Sequence, residues 1–341
     1  MTPAEVCAAL VVSGTLLCLG TFPLRPQSRL LAGPDPALWR AIVLACFGLW
    51  RPAARLMAQT GQDWERRGLY AEALGRAGGW LWPLWVRAWE RARPGDPDAA
   101  LVRARAQVHH AWRWRGGRYA SATAAWRFRR FHNALFTARE NLQNAAVLNP
   151  DDPTPYAAEI WPALGLGYTD DMMRELWDEI VKRAPHHFEA HYNALQFWSG
   201  KWRGSHEKAQ AFAEEAADEA PAGTLLAALP LFAWYERYLA RENTQAIDSP
   251  RVRALVDAAL LDLEAAAGHP AAPRVQHMVA YCLTKQGRHC EALRHFRAVD
   301  GWVEALPWRY QNYQRLAYRG VRTAAARGVV TDCIRRWLRP S

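Results

Sequence analysis

The chain has 341 residues, half of them apolar, with 18 tryptophans and a formal net charge of +10. A chain of this length and apolar content can bury a sizeable core as one elongated or two compact domains, which excludes a disordered or a small disulfide-stapled protein. Helix formers dominate and β-branched runs are scarce, so an all-α fold is expected.

The charge comes in blocks. Residues 1–140 carry a net +11, residues 141–270 a net −10, and residues 271–341 a net +9. Such blocks can steer charged partners, pair with one another inside the molecule, or simply solvate helix faces. None of the six cysteines (Cys7, Cys18, Cys46, Cys282, Cys290, Cys333) forms a C-x-x-C pair, and several have apolar neighbours. Reduced, buried thiols in a cytoplasmic protein are expected.

Residues 6–22 are nearly all apolar. No basic residue precedes them, so a secretory signal is a poor match. Their length falls just short of the ~20 residues that a membrane helix needs. Arg25 and Arg29 follow. Two readings stay open for residues 1–32: a soluble first helix, or a membrane anchor that leaves the body cytoplasmic.

Residues 33–140 read as irregular helical repeats rich in arginine and tryptophan. Asp35-Pro36 and Asp96-Pro97 open helices with proline at the first helical position. Between 103 and 139, arginines such as Arg105, Arg113, Arg127 and Arg130 alternate with Trp112, Trp114, Trp126 and Phe131. That mixture can hold phosphates and stack on bases, or lie on an anionic membrane. Aromatics at helical spacing, their edges covered by arginine stems, are also what stacked helices bury. Structural packing is the expectation; nucleic acid or membrane is the alternative. The segment Gly116–Thr123 reads as a loop.

Residues 141–221 carry a repeat. Pro150, Pro185 and Pro221 close similar phrases (Val147-Leu148-Asn149-Pro150, Lys182-Arg183-Ala184-Pro185, Asp218-Glu219-Ala220-Pro221) at a spacing of 35 and then 36 residues. Proline cannot continue a helix, so each phrase ends one. Met172, Met173, Leu176, Trp177 and Ile180 form an apolar stripe opened by Asp170 as N-cap. Phe188, Tyr192 and Leu195 continue at i, i+4, i+7. Ser199–Gly204 breaks the pattern, and Ser205 caps a helix that buries Ala209, Phe212, Ala213 and Ala216. Asp152-Pro153 marks a further helix start.

Residues 222–341 read as C-terminal helical repeats. Ser249-Pro250 opens a helix that Gly268-His269-Pro270 ends. Across 275–299, Ala280, Gly287, Ala292 and Phe296 fall where a tetratricopeptide repeat has a small residue, a turn glycine, a small residue and an aromatic. This unit resembles a tetratricopeptide repeat, with His289 where that family often has tyrosine. The resemblance and the proline period together imply a solenoid of antiparallel helix pairs in a right-handed superhelix. Four phrases, Gln62-Asp63-Trp64-Glu65-Arg66-Arg67, Pro94-Gly95-Asp96-Pro97-Asp98, Ala184–His191 and Lys201–Glu207, also resemble an actinobacterial helical family called domain of unknown function 4034. That resemblance spans roughly residues 33 to 300 and implies no activity and no ligand.

No P-loop, dinucleotide-binding glycine motif or nucleophile elbow occurs. The paired acids Asp151-Asp152, Asp170-Asp171 and Glu214-Glu215 read as helix-start or solvated charge. The expected role is non-catalytic: a binding or scaffold protein that recognises a protein or peptide, without cofactor, through Tyr192, Asn193 and Gln196 on the groove side of one helix. The alternative is a small-molecule or metal-binding protein, or an enzyme, built on the histidine-rich stretch 186–206. There His187 and His191 share a helix face at i, i+4, and Trp202 and His206 follow. The glutamate at 189 is misplaced for an H-E-x-x-H metal motif, and capping or packing by these rings is the plainer reading.

Overall fold

Capping side chains and prolines cut the chain into helices. The computed structural model describes residues 10–14, 27–29, 33–79, 82–115, 124–202, 204–240 and 246–337. Over them the fold is all-α, and the extended pairing among them is a single parallel bridge between Ser28 and Trp302. The helices are α1 (Pro36–Cys46), α2 (Arg51–Ala58), α3 (Trp64–Gly75), α4 (Trp82–Ala92), α5 (Pro97–Arg115), α6 (Ala125–Leu148), α7 (Thr154–Leu166), α8 (Asp170–Val181), α9 (Phe188–Trp198), α10 (His206–Asp218), α11 (Leu229–Leu239), α12 (Pro250–Ala265), α13 (Ala272–Lys285), α14 (His289–Ala298) and α15 (Gln314–Trp337).

Several starts obey local chemistry. The Asp35 carboxylate accepts from the Leu38 N–H at 2.9 Å, Asp63 from Arg66 at 3.0 Å, and Asp96 from both Asp98 and Ala99. Each satisfies donors that a helix start leaves open. Ser205 caps α10 as expected, and α12 starts at Pro250 after Ser249. Two expectations need correction. Thr169, not Asp170, caps α8, with Asp170 and Asp171 in the first turn where they face the positive end of the dipole. Asp152 is not solvated. It is 1% exposed, accepts from Arg67 Nε at 2.5 Å and caps Thr154.

Two helices lie in each proline interval: α7 and α8 between Pro150 and Pro185, α9 and α10 between Pro185 and Pro221. Consecutive helices pack on one another over most of the chain, and α9 also meets α7 and α11. The apolar core runs as overlapping clusters along the chain: one over 38–102 joined by Ala145, two small ones over 104–158 and 111–135, one over 157–197, and the largest over 188–326. The tryptophans divide accordingly. Trp85, Trp89 and Trp308 are fully buried, whereas Trp39 and Trp337 face solvent. Of the cysteines described, Cys282 is buried, but Cys46, Cys290 and Cys333 are exposed, which corrects the expectation of generally buried thiols.

Ser28 meets the segment after α14, more than 270 residues away. Ser28 N–H donates to the Gly301 carbonyl at 2.7 Å and Val303 N–H donates to the Ser28 carbonyl at 3.0 Å. Trp302 packs on the N-terminal cluster. No helix among the described residues is long and apolar enough to cross a membrane. The apolar stretch 6–22, apart from residues 10–14, lies outside the described residues, as does the expected loop at 116–123.

Candidate functional site

The meeting of distant segments leaves a cavity of about 480 Å³ near their junction, next to a smaller chamber of about 150 Å³. Glu72, Glu189, Arg274, Glu304 and Ala305 line both. Helix α3 supplies one wall. Glu65, Leu69, Glu72 and Arg76 recur at i, i+4, i+7, i+11, so they share one helix face. That face is polar where an ordinary core helix would be apolar.

The carboxylates of this wall are held from behind. Arg105, whose side chain is 2% exposed, bridges Glu72 and Glu189, the latter at 2.6 Å. Arg76 binds Glu72 at 2.7 Å and reaches Glu304 at 3.2 Å. Burial by itself would push the Glu72 carboxyl up. Arg105, the His109 ring and Arg76 outweigh it and hold the group well below the ordinary carboxylate range. His109 lies 3.0 Å from Glu72, yet desolvation keeps its own pKa below the usual histidine value, with the neighbouring arginines adding to that effect. The His109 Nε2 that faces Glu72 accepts from Arg76 Nε–H at 3.1 Å.

Glu65 has a different set of partners. It accepts from the Phe188 backbone N–H, and it lies 3.8 Å from His269 and 3.9 Å from His187. Helix α13 begins across the cavity, just after the Gly268–Pro270 turn. Its Arg274 sits with the guanidinium 4.6 Å from the centre of the Tyr192 ring. Leu69, the prolines at 34, 36, 270 and 273, and Trp302 make the apolar part of the lining.

The residues singled out in sequence divide. Tyr192 and Asn193 line the smaller chamber, buried rather than on an open groove, and Asn193 donates to the Ala157 carbonyl at 3.2 Å. Gln196 is also buried and donates to Glu236 at 3.1 Å, away from both spaces. His187 caps α9: Nδ1 accepts from Ala190 N–H, and Nε2 lies 3.2 Å from the Trp64 carbonyl, in reach to donate to it. His191 turns the other way. Its Nδ1 lies 2.9 Å from the His187 carbonyl, its ring packs between Trp177 and Phe212, and burial lowers its pKa to about 4. Trp202 packs edge-to-face on Trp112, and His206 opens α10. Among the described residues no group of three His, Cys, Asp or Glu side chains is placed to hold a metal ion.

The arginine-aromatic segment divides too. Arg105 lies behind the cavity wall and holds its carboxylates. Arg130 lies over Trp114 at 5.0 Å and Trp126 at 5.5 Å, so its own chain already covers those ring faces.

Sequence reasoning missed Glu65, Glu72, Arg76, Arg274 and Glu304, and it took Arg105 only as part of the arginine-aromatic alternation. The polar face of α3 was the available signal. Comparison with known proteins adds no relative: no family model, no curated protein and no solved structure matches the chain.

Proposed function

We propose that the chain is a non-catalytic helical-repeat binding protein, tetratricopeptide-like in its helix pairing and akin to the domain of unknown function 4034 family, whose binding site is the central cavity. The pairing is supported by the two helices per proline interval and by packing between successive helices. The site reading rests on one observation. Five separate stretches of chain build the cavity, and an ion network locks its walls before any ligand arrives. Rigid polar groups beside an apolar lining are what a specific small-ligand or peptide-end site needs, because little ordering then remains to oppose binding. Tyr192 and Asn193 serve in this reading as wall residues of the chamber, and Gln196, His187 and His191 as supports behind it.

The test fills the space. Ala298 lines the cavity and is exposed within it. Wild type and Ala298→Trp are purified from the native host, and released small molecules and peptides are identified by mass spectrometry. A ligand retained by wild type and lost from the folded variant supports the reading. Identical profiles overturn it.

A further inference from the structure

Each glutamate of the cavity wall already has a partner: Glu72 and Glu189 on Arg105, Glu304 on Arg76, Glu65 on a backbone N–H. Arg274 does not. Among the described residues its guanidinium has no ion pair and no hydrogen bond, and its contact is the face of Tyr192. It lines both the cavity and the chamber. A guanidinium keeps its charge under all ordinary conditions, and its fork of donors matches a carboxylate bidentately. An aromatic face below it fixes the plane of the fork while leaving the N–H edges open.

Building on the cavity reading, we infer that the site takes a monoanionic organic carboxylate, with Arg274 as its anchor, Tyr192 as the platform that orients the anchor, and the apolar body of the ligand against Leu69, Trp302 and the surrounding prolines. The neighbouring glutamates select within anions. A single charge spread over one planar group suits one guanidinium, whereas a phosphate dianion would meet the same cation and more repulsion from Glu72, Glu189 and Glu304. The volume admits a small organic acid or the last residues of a peptide. Both present the same group, a free acid in one case and a C-terminal carboxylate in the other.

The experiment is calorimetric titration of the full-length protein. The probes are medium-chain and aryl-alkyl monocarboxylates, their primary amides, tetrapeptides with free or amidated C-termini, and inorganic phosphate. The expected result is that at least one carboxylate probe binds, that its amide binds about ten- to a hundredfold more weakly, and that Arg274→Gln removes the difference. Arg274→Lys should fall between, since it retains charge without the fork. Tyr192→Phe should bind like wild type, because the ring and not the hydroxyl supports the guanidinium. Whether free acids or peptides respond tells the two sources apart. Equal binding of acids and amides, preference for phosphate, unchanged binding in an Arg274→Gln variant of wild-type melting temperature, or silence across all probes would each overturn the inference. Binding of neutral probes that Ala298→Trp abolishes would leave the cavity reading standing while the carboxylate assignment fails.

Discussion

Single side chains here are governed by desolvation. His191 and His277 are buried among aromatic rings, and burial lowers their pKa values to about 4 and about 3. For a histidine whose folded pKa is depressed, the unfolded chain takes up a proton first, at about pH 6.5, while the folded chain still refuses it. The fold therefore loses stability as pH falls from that point towards the folded pKa, and loses none above it. For His191 the penalty by pH 4 is on the order of 3 kcal/mol. His191→Phe keeps the aromatic packing against Trp177 and Phe212. The His187 carbonyl still accepts from the backbone N–H of residue 191. The variant should match wild type in urea denaturation near pH 7.5 and decline less steeply between pH 6.5 and pH 4; parallel decline would contradict the assignment. Glu72 has linkage of the same sign, displaced to lower pH. Its depressed pKa contributes stability above the ordinary carboxylate value that is lost only as pH falls below it, so histidines set the upper edge of the acid limb.

Among elements, close approach of α6 and α7 depends on a missing side chain. A Cβ built on Gly165 would lie 2.2 Å from Leu135 Cδ1 and 2.7 Å from Phe131 Cζ. Both of those residues are packed in a buried cluster with little room to yield. Gly165→Ala should cost about 1–3 kcal/mol through overpacking, despite its better helix propensity. Chemical denaturation measures it, and a gain in stability would show that the seam can open. The sequence disclosed the helices flanking this seam, because prolines and capping side chains act within a few residues of themselves. It did not disclose the approach, since a glycine near a helix end also reads as an ordinary stop.

Across the whole molecule, a clasp joins Gln27 to Asp300 and α15. Asp300 Oδ1 accepts from Gln27 Nε2 at 2.8 Å and from Arg322 Nη1 at 3.0 Å, and the Arg322 side chain is 1% exposed. Removing one partner of a buried ion pair costs about 3–5 kcal/mol, because the other charge stays desolvated. Asp300→Ala should lower stability by that order and speed amide exchange at Ser28, whose N–H is bonded to Gly301. Unchanged exchange at Ser28 would mean that the bridge holds without the carboxylate. The clasp also closes one side of the cavity, since Trp302 and Glu304 follow it directly.

The sequence by itself determined the all-α class, the helix boundaries at Asp35, Asp96, Ser205 and Ser249, and two helices for each proline interval. These are local effects of backbone geometry and of side chains bonding to their own helix starts. It also drew attention to Tyr192 and Asn193, though as groove residues rather than wall residues. Only the tertiary structure decided which charges meet. Arg105 reaches Glu189 across 84 residues and Arg76 reaches Glu304 across 228. Nothing in an arginine's neighbours along the chain says whether its partner is water, a ring face or a carboxylate from the far end. Desolvation makes that choice, and desolvation exists only once distant helices have closed on one another.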